Sequence, residues 1–304
     1  MPSLAGQLDR LTIVAPLGLR FHDTVSGALV GAGLNVSAYP TGRPTARQQA
    51  LNNRSGVYVL HHAAGLRQVE NGDGSSTFWK QTPANKSFVI EVSDGAQRFQ
   101  PFQFTENLPV EGIYRWTGVA AGSPPAPMSS IPLYSSPVRV APAGMAIIRA
   151  DLWDPIHDSA AAWALMEVFD AGNLIARGFA DELGRIALIF PYPPPRTFAV
   201  SSPPGSPVSS PPLSSGPPLS QQLWTLQIKA RYQPPPAAPL PDLRFTLSQT
   251  AADIWADAAR TEHLLEAGLQ YGRELILKSR PSPASPPGTV RESVLFVTPA
   301  VSPP

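Results

Sequence analysis

Proline is spread so densely through this chain that it limits every kind of regular structure. There are 37 prolines in 304 residues, roughly an eighth of the chain against a usual ~5%. The residue disfavours helix interiors and central strands, so these prolines belong in turns, strand edges and linkers. Between them the sequence alternates. Leu34, Val36 and Ala38 fall on one face of a period-2 segment, as do Phe88, Ile90 and Val92 in SFVIEVSDG, the pattern of half-buried strands. LTIVAPLGLRFHD, SGVYVLHH and RFQPFQF read as further strands, and Asn71-Gly72 and Asp73-Gly74 mark a long loop among them. Short strands at this spacing predict an antiparallel sandwich.

One local pattern occurs twice. NNRSGVYVLHH (Asn52–His62) runs from a polar turn through a glycine into an alternating strand, and ADELGRIALIF (Ala180–Phe190) does the same. The second lies in a strand set that begins with GMAIIRADLWD and continues through AAWALMEVFDAGNLIARGF. Gly118–Ser130 is a linker by composition, so the chain divides into two β-sandwich modules, 1–120 and 130–304. The segment of about 193–222 is almost wholly Ser, Pro and Gly and reads as a long loop inserted into the second module, because LWTLQIKARYQ resumes the alternation after it. GLQYGRELILKS returns to period 2 and RESVLFVTPA is a last strand. Thr250–Arg260 (TAADIWADAAR), with Ile254 and Ala258 four apart, is the one helix expected.

The net charge of +1 provides no strong field for nucleic acid or an anionic membrane surface. Charged residues make up only 15%, below the usual ~25%, which fits a surface covered in part by partner proteins. The chain has no cysteine, which excludes disulfides, thiolate nucleophiles and Cys-ligated zinc. The N-terminal residues read as neither signal peptide nor transmembrane segment.

Catalytic patterns are thin. His61 and His62 are strand neighbours whose rings point to opposite faces and do not readily share an ion. Asp151, Asp154, His157 and Asp158 cluster in DLWDPIHDS, but the D-x-D-x-D-G spacing of a calcium loop is missing and Asp-Pro is itself a turn initiator. GAGLNV lacks the third glycine and the acidic residue of a dinucleotide fingerprint. Glu167 and Asp170 read as a solvated strand end. Trp153, Trp163 and Trp224 lie in alternating strands and are expected in the core. Trp79 and Trp116 lie in polar, loop-like contexts and are the candidates for contacts with a partner or a glycan. No metal or other cofactor is expected.

Two resemblances follow from these segments. FHDTVSGALVGAGLNVSAYP, NNRSGVYVLHHAAG and KSFVIEVSDG, in about the first third of the chain, resemble the carboxypeptidase regulatory-like (transthyretin-like) sandwich, although its Pro-Gly-x-Tyr is replaced here by a long loop and Ser87-Phe88. IPLYSSPVRVAPAGMAIIRADLWD, AAWALMEV, ARGFADELGRIALIFPYPPP and LQYGRELILKS, in this order, resemble an accessory structural protein of phage-tail-like contractile injection systems. That second resemblance implies a non-enzymatic, baseplate-associated or particle-decorating subunit. The expected partners are other subunits of the assembly rather than nucleic acid, with no direct membrane insertion, and the missing signal peptide implies assembly in the cytoplasm before joining a particle. The rival readings are a carbohydrate- or surface-binding module, and a hydrolase accessory domain or weak metal enzyme around Asp151–Asp158.

Overall fold

The computed structural model describes residues 13–81, 85–118, 129–195, 218–236, 238–281 and 293–300. The Gly118–Ser130 linker and the Ser/Pro-rich segment fall largely outside them. The described chain is mainly β, with three short α-helices.

The first unit contains β1 (Leu17–Leu19), β2 (Phe21–Asp23), β3 (Leu34–Pro40), β4 (Gln48–Gln49), β5 (Leu51–Asn52), β6 (Tyr58–Leu60), β7 (Lys86–Asp94) and β8 (Phe102–Leu108). Between β6 and β7 lie two single-turn helices, α1 (Arg67–Glu70) and α2 (Ser76–Lys80). One sheet runs β4-β3-β7-β8 and a second runs β1-β6-β5. The register sets Val36 opposite Val92 and Val92 opposite Phe102, with Ala38, Ile90 and Phe104 forming the next row. Period-2 alternation therefore points every one of these side chains into one core, against Leu17, Leu19, Tyr58 and Leu60 of the other sheet.

The second unit contains β10 (Met145–Asp154), β11 (Ser159–Ala160), β12 (Leu165–Asp170), β13 (Asn173–Phe179), β14 (Arg185–Pro191), β15 (Leu223–Arg231), β16 (Ala251–Trp255), β17 (Glu266–Gln270), β18 (Leu275–Leu277) and β19 (Leu295–Pro299). All ten belong to one hydrogen-bonded network, in which β15 is shared by β12, β16 and β17, and β10 by β14, β18, β11 and β19. It folds round a core of its own that includes Ile148, Leu152, Val168, Leu188, Trp224 and Leu269.

The two units are not separate bodies. The strand β9 (Ile131–Leu133), which follows the linker, pairs in parallel with β2. Leu243 and Leu247 of helix α3 (Leu243–Ser248) enter the first core, as do Tyr134, Trp163, Leu165 and Phe179. Gln103 N–H donates to Pro241 O, so the segment leading into α3 covers the outer edge of β8. A boundary placed between 120 and 130 is thus crossed by strand pairing and by a shared core.

The recurring turn has one construction. Asn53 Oδ1 accepts from the backbone N–H groups of Ser55 and Val57, at 2.9 and 3.0 Å, while Gly56 N–H returns to Asn53 O. Asp181 Oδ1 accepts from Leu183 and Arg185, both at 2.9 Å, while Gly184 N–H returns to Asp181 O. The fourth residue has positive φ in both, +70° at Gly56 and +78° at Gly184, which favours glycine. Close approach adds a second demand, since a Cβ on Gly184 would stand 2.2 Å from Leu152 O. Asp94 repeats the bonding pattern with Ala96, Arg98 and Gln97. The turn is therefore a structural unit that starts strands.

Three expectations change. Thr250–Arg260 is no helix: Ala251–Trp255 forms β16, with Ile254 opposite Val297. Pairing on both sides outweighs the modest helix preference of its alanines. The helix of this region is α3, seven residues upstream, started by Asp242 accepting from Phe245 N–H at 3.0 Å. Trp163 lies in a turn with φ +62°, not in a strand, and its ring enters the first unit's core rather than the second's. Trp153 faces outward from β10 and is half-buried, because Leu152 takes the inward position. Trp224 is core, as expected.

Candidate interaction surface

The two tryptophans singled out for partner contacts differ. Trp79 is half-buried on α2, whose Ser75 cap accepts from Phe78 N–H at 3.1 Å. It meets Phe78 edge-on at 5.2 Å and packs against the first core, leaving part of the ring open. Trp116 is only 5% exposed. Phe104 meets it edge-to-face at 5.5 Å and the Arg244 guanidinium covers it at 5.1 Å. Its sequence neighbours Arg115 and Thr117 are exposed, but Trp116 itself presents no stacking face to solvent.

Beside Trp116, Tyr114 Oη donates to Glu106 Oε2 at 2.7 Å, and Arg244 Nη2 donates to the same oxygen at 2.7 Å. Burial and the Glu106 carboxylate hold the Tyr114 hydroxyl well above its ordinary pKa. This node ties the first unit to α3.

The acidic residues have structural partners. Asp154 is fully buried and accepts from the backbone N–H groups of Ile156 and His157, with His157 Nδ1 at 2.6 Å. It closes the β10–β11 hairpin, whereas Asp151 stands exposed opposite Arg185 on the other face. Glu167 is not a solvated strand end. Its carboxylate, almost fully buried, takes Arg177 Nε at 2.9 Å and Arg231 Nε at 3.4 Å. Charge-assisted bonds to two guanidinium groups offset the cost of burying it. Tyr134 lies in the same cluster, and burial pushes its hydroxyl up to about 12. His62 is at the mouth of a loop, where its backbone N–H donates to the buried Glu70 carboxylate; the His61 and His62 rings are 6.4 Å apart. Among the described residues no three His, Asp or Glu side chains converge as metal ligands would.

One surface escapes sequence reading. Trp153 of β10 is opposite Phe296 of β19, and Phe296 is opposite Trp255 of β16. Leu152, Leu295, Ile254 and Val297 point inward and the three aromatics take the outward positions; Trp153 and Trp255 are partly exposed there, whereas Phe296 between them is buried, only 7% exposed. His263 extends the row, stacked on Trp255 at 4.4 Å with planes 26° apart. Polar groups flank it: Trp255 Nε1 donates to Thr298 at 2.9 Å, and Asp253 is 3.8 Å from His263 Nδ1. Each aromatic holds an outward position of its strand in the sequence, but the row exists only through the strand register.

Compared with protein-family models, curated proteins and solved structures, the chain finds no match. No helix among the described residues is long and apolar enough to cross a membrane.

Proposed function

We propose that this chain is a non-enzymatic assembly subunit of a contractile, phage-tail-like injection particle, baseplate-associated or decorating its surface. The observation that carries the reading is the joining of the two β-units. A subunit that sits between neighbours must transmit load, and the shared core, the β2–β9 pairing and α3 make one bracket of two sandwiches. The ordered segments resembling accessory proteins of such particles support a contractile particle as the assembly. Partner contacts would use strand edges and proline-rich segments, modest individually and multiplied by particle symmetry. Assembly would begin in the cytoplasm, with the mature subunit part of the particle.

The test is to purify particles from the native host, identify their proteins by mass spectrometry and image particles from a deletion strain. The reading expects the chain in the particles and altered shape or firing without it. Absence from particles together with unchanged firing would overturn it.

A second reading, a carbohydrate- or surface-binding module, is favoured by the partly exposed Trp153 and Trp255, set on either side of the buried Phe296, with their polar flanks. Stacked sugars need an aromatic face bordered by hydrogen-bonding groups. A glycan array comparing the native chain with Trp255→Ala discriminates the two readings, and Trp116→Ala is unsuited to this purpose because that ring is inside.

A further inference from the structure

At one end of the first sandwich, the close of β3, the start of β7 and the loop through Gly65 surround an open groove of about 440 Å³. Its charged liners are Arg43 and Lys86, both cationic. Among the described residues neither has an acidic partner. Glu91, on the same strand as Lys86, is already held by Arg47 and Tyr39, each at 2.9 Å.

Two details make this more than a pair of surface cations. The Lys86 ammonium is laid over the Gly65 backbone, where a Cβ would stand 2.2 Å from Nζ. Gly65 has φ +80°, a backbone conformation that favours glycine at the spot where the ammonium rests. On the groove wall, the hydroxyls of Thr41 and Ser87 are 2.9 Å apart. One proton joins the two oxygens, which leaves the second free to donate into the groove.

We propose that this groove binds a dianionic oxyanion of the phosphate class, held between Lys86 and Arg43 and oriented by the free hydroxyl proton. Two positive charges with no acid among the liners match a dianion, whereas a single carboxylate would leave one cation unmatched. The chemistry is shared by the free ion and by a phosphate monoester on a small molecule. The site is independent of the aromatic row and of the assembly reading.

The experiment uses the full chain, inorganic phosphate and O-phosphoserine, with sodium chloride at matched ionic strength as the reference. Isothermal titration should show saturable binding of inorganic phosphate or of the monoester, and thermal melting should rise in that anion but not in chloride. Inorganic phosphate alone binding would mark the free ion as ligand. O-phosphoserine binding as tightly or more tightly would mark a carried group. Lys86→Met and Arg43→Gln should each weaken binding about tenfold, and the double variant should abolish it. Both side chains are exposed and, among the described residues, have no acidic partner, so the variants should melt as the native chain does in chloride. Equal melting in phosphate and chloride, without a titration signal for either probe, would overturn the proposal. So would undiminished binding by the double variant.

Discussion

The two units solve the same packing problem unequally. In the second, ten strands form one hydrogen-bonded network and all the residues of its core come from within 146–297. In the first, the strands are divided among sheets of four, three and two, and part of the core is supplied from outside. Tyr134, Trp163, Leu165, Phe179, Leu243 and Leu247 all come from beyond the linker. The difference teaches that sequence continuity and structural completeness diverge here. The second unit carries its own core, while the first depends on the second for its closing wall.

The most direct way to break this comparison is to separate the units. A fragment of residues 1–118 should show no cooperative melting and poor NMR dispersion, because it lacks β9 and both α3 leucines. Residues 129–304 should melt cooperatively. A sharp transition from the shorter fragment would refute the asymmetry outright.

Glu167→Gln probes the junction without removing volume. Arg177, whose side chain is 6% exposed, would keep its charge but lose the carboxylate. Breaking one side of a buried pair costs about 3–5 kcal/mol. Urea denaturation should show a loss of this size, and the cluster's contact with Tyr134 predicts that the first unit loosens too. A change below about 1 kcal/mol would mean that Glu167 is better solvated than its burial indicates.

Leu243→Ala sharpens the comparison from the other side. Leu243 is fully buried, and its removal should cost about 2–4 kcal/mol through lost contacts and a cavity. Hydrogen exchange should accelerate in β7 and β8, while β10 and β14 stay protected. Uniform acceleration across both units would show one cooperative block with no dependent half.

Much of this fold was legible, and what was missed has a common cause. Alternation alone placed β3, β7, β10 and β15, because a strand with one buried face writes period 2 into its sequence. The repeated turn was also readable, since Asn53 with Gly56 and Asp181 with Gly184 carry its chemistry locally. The third example, Asp94–Arg98, has Gln97 at φ +54° in place of the fourth-position glycine, so Asp94-Gly95 marked a turn but not a third copy of the repeat. β16 was read as helix because its strand character comes from neighbours in the sheet. The candidate sites failed in the same way. Trp116 looks solvent-facing beside Arg115 and Thr117, but Phe104 packs on it and α3, arriving from far along the chain, covers it with Arg244. The row of Trp153, Phe296 and Trp255 brings Trp153 beside residues more than a hundred positions further along the chain. Local chemistry predicts turns and strands; which faces meet depends on register.

The smallest expected effect concerns pH at the parallel pairing of β2 with β9. His22 of β2 is buried, and its Nδ1 is 2.9 Å from Ser130 Oγ at the start of that pairing. Burial lowers its pKa, only partly opposed by the neighbouring Asp23 charge and a hydrogen bond with Ser130. The folded state therefore resists a proton that the unfolded chain accepts below about 6.5. Stability from this group is present above that pH and is lost as pH falls from there toward the folded value. Asp23 is also depressed: its burial acts upward, but the Arg139 pair and other hydrogen bonds outweigh it. Its loss falls lower, as pH drops below about 4. Between pH 7.5 and 5.5, then, melting should shift downward in the native chain, and His22→Gln should flatten that part of the profile while keeping a polar group near Ser130. If the unequal dependence of the units is right, the shift should appear first in probes of the first unit, such as exchange in β1 and β6. A native profile that rises on acidification, or one that the substitution leaves unchanged, would remove His22 from the account of how the first unit is held to the second.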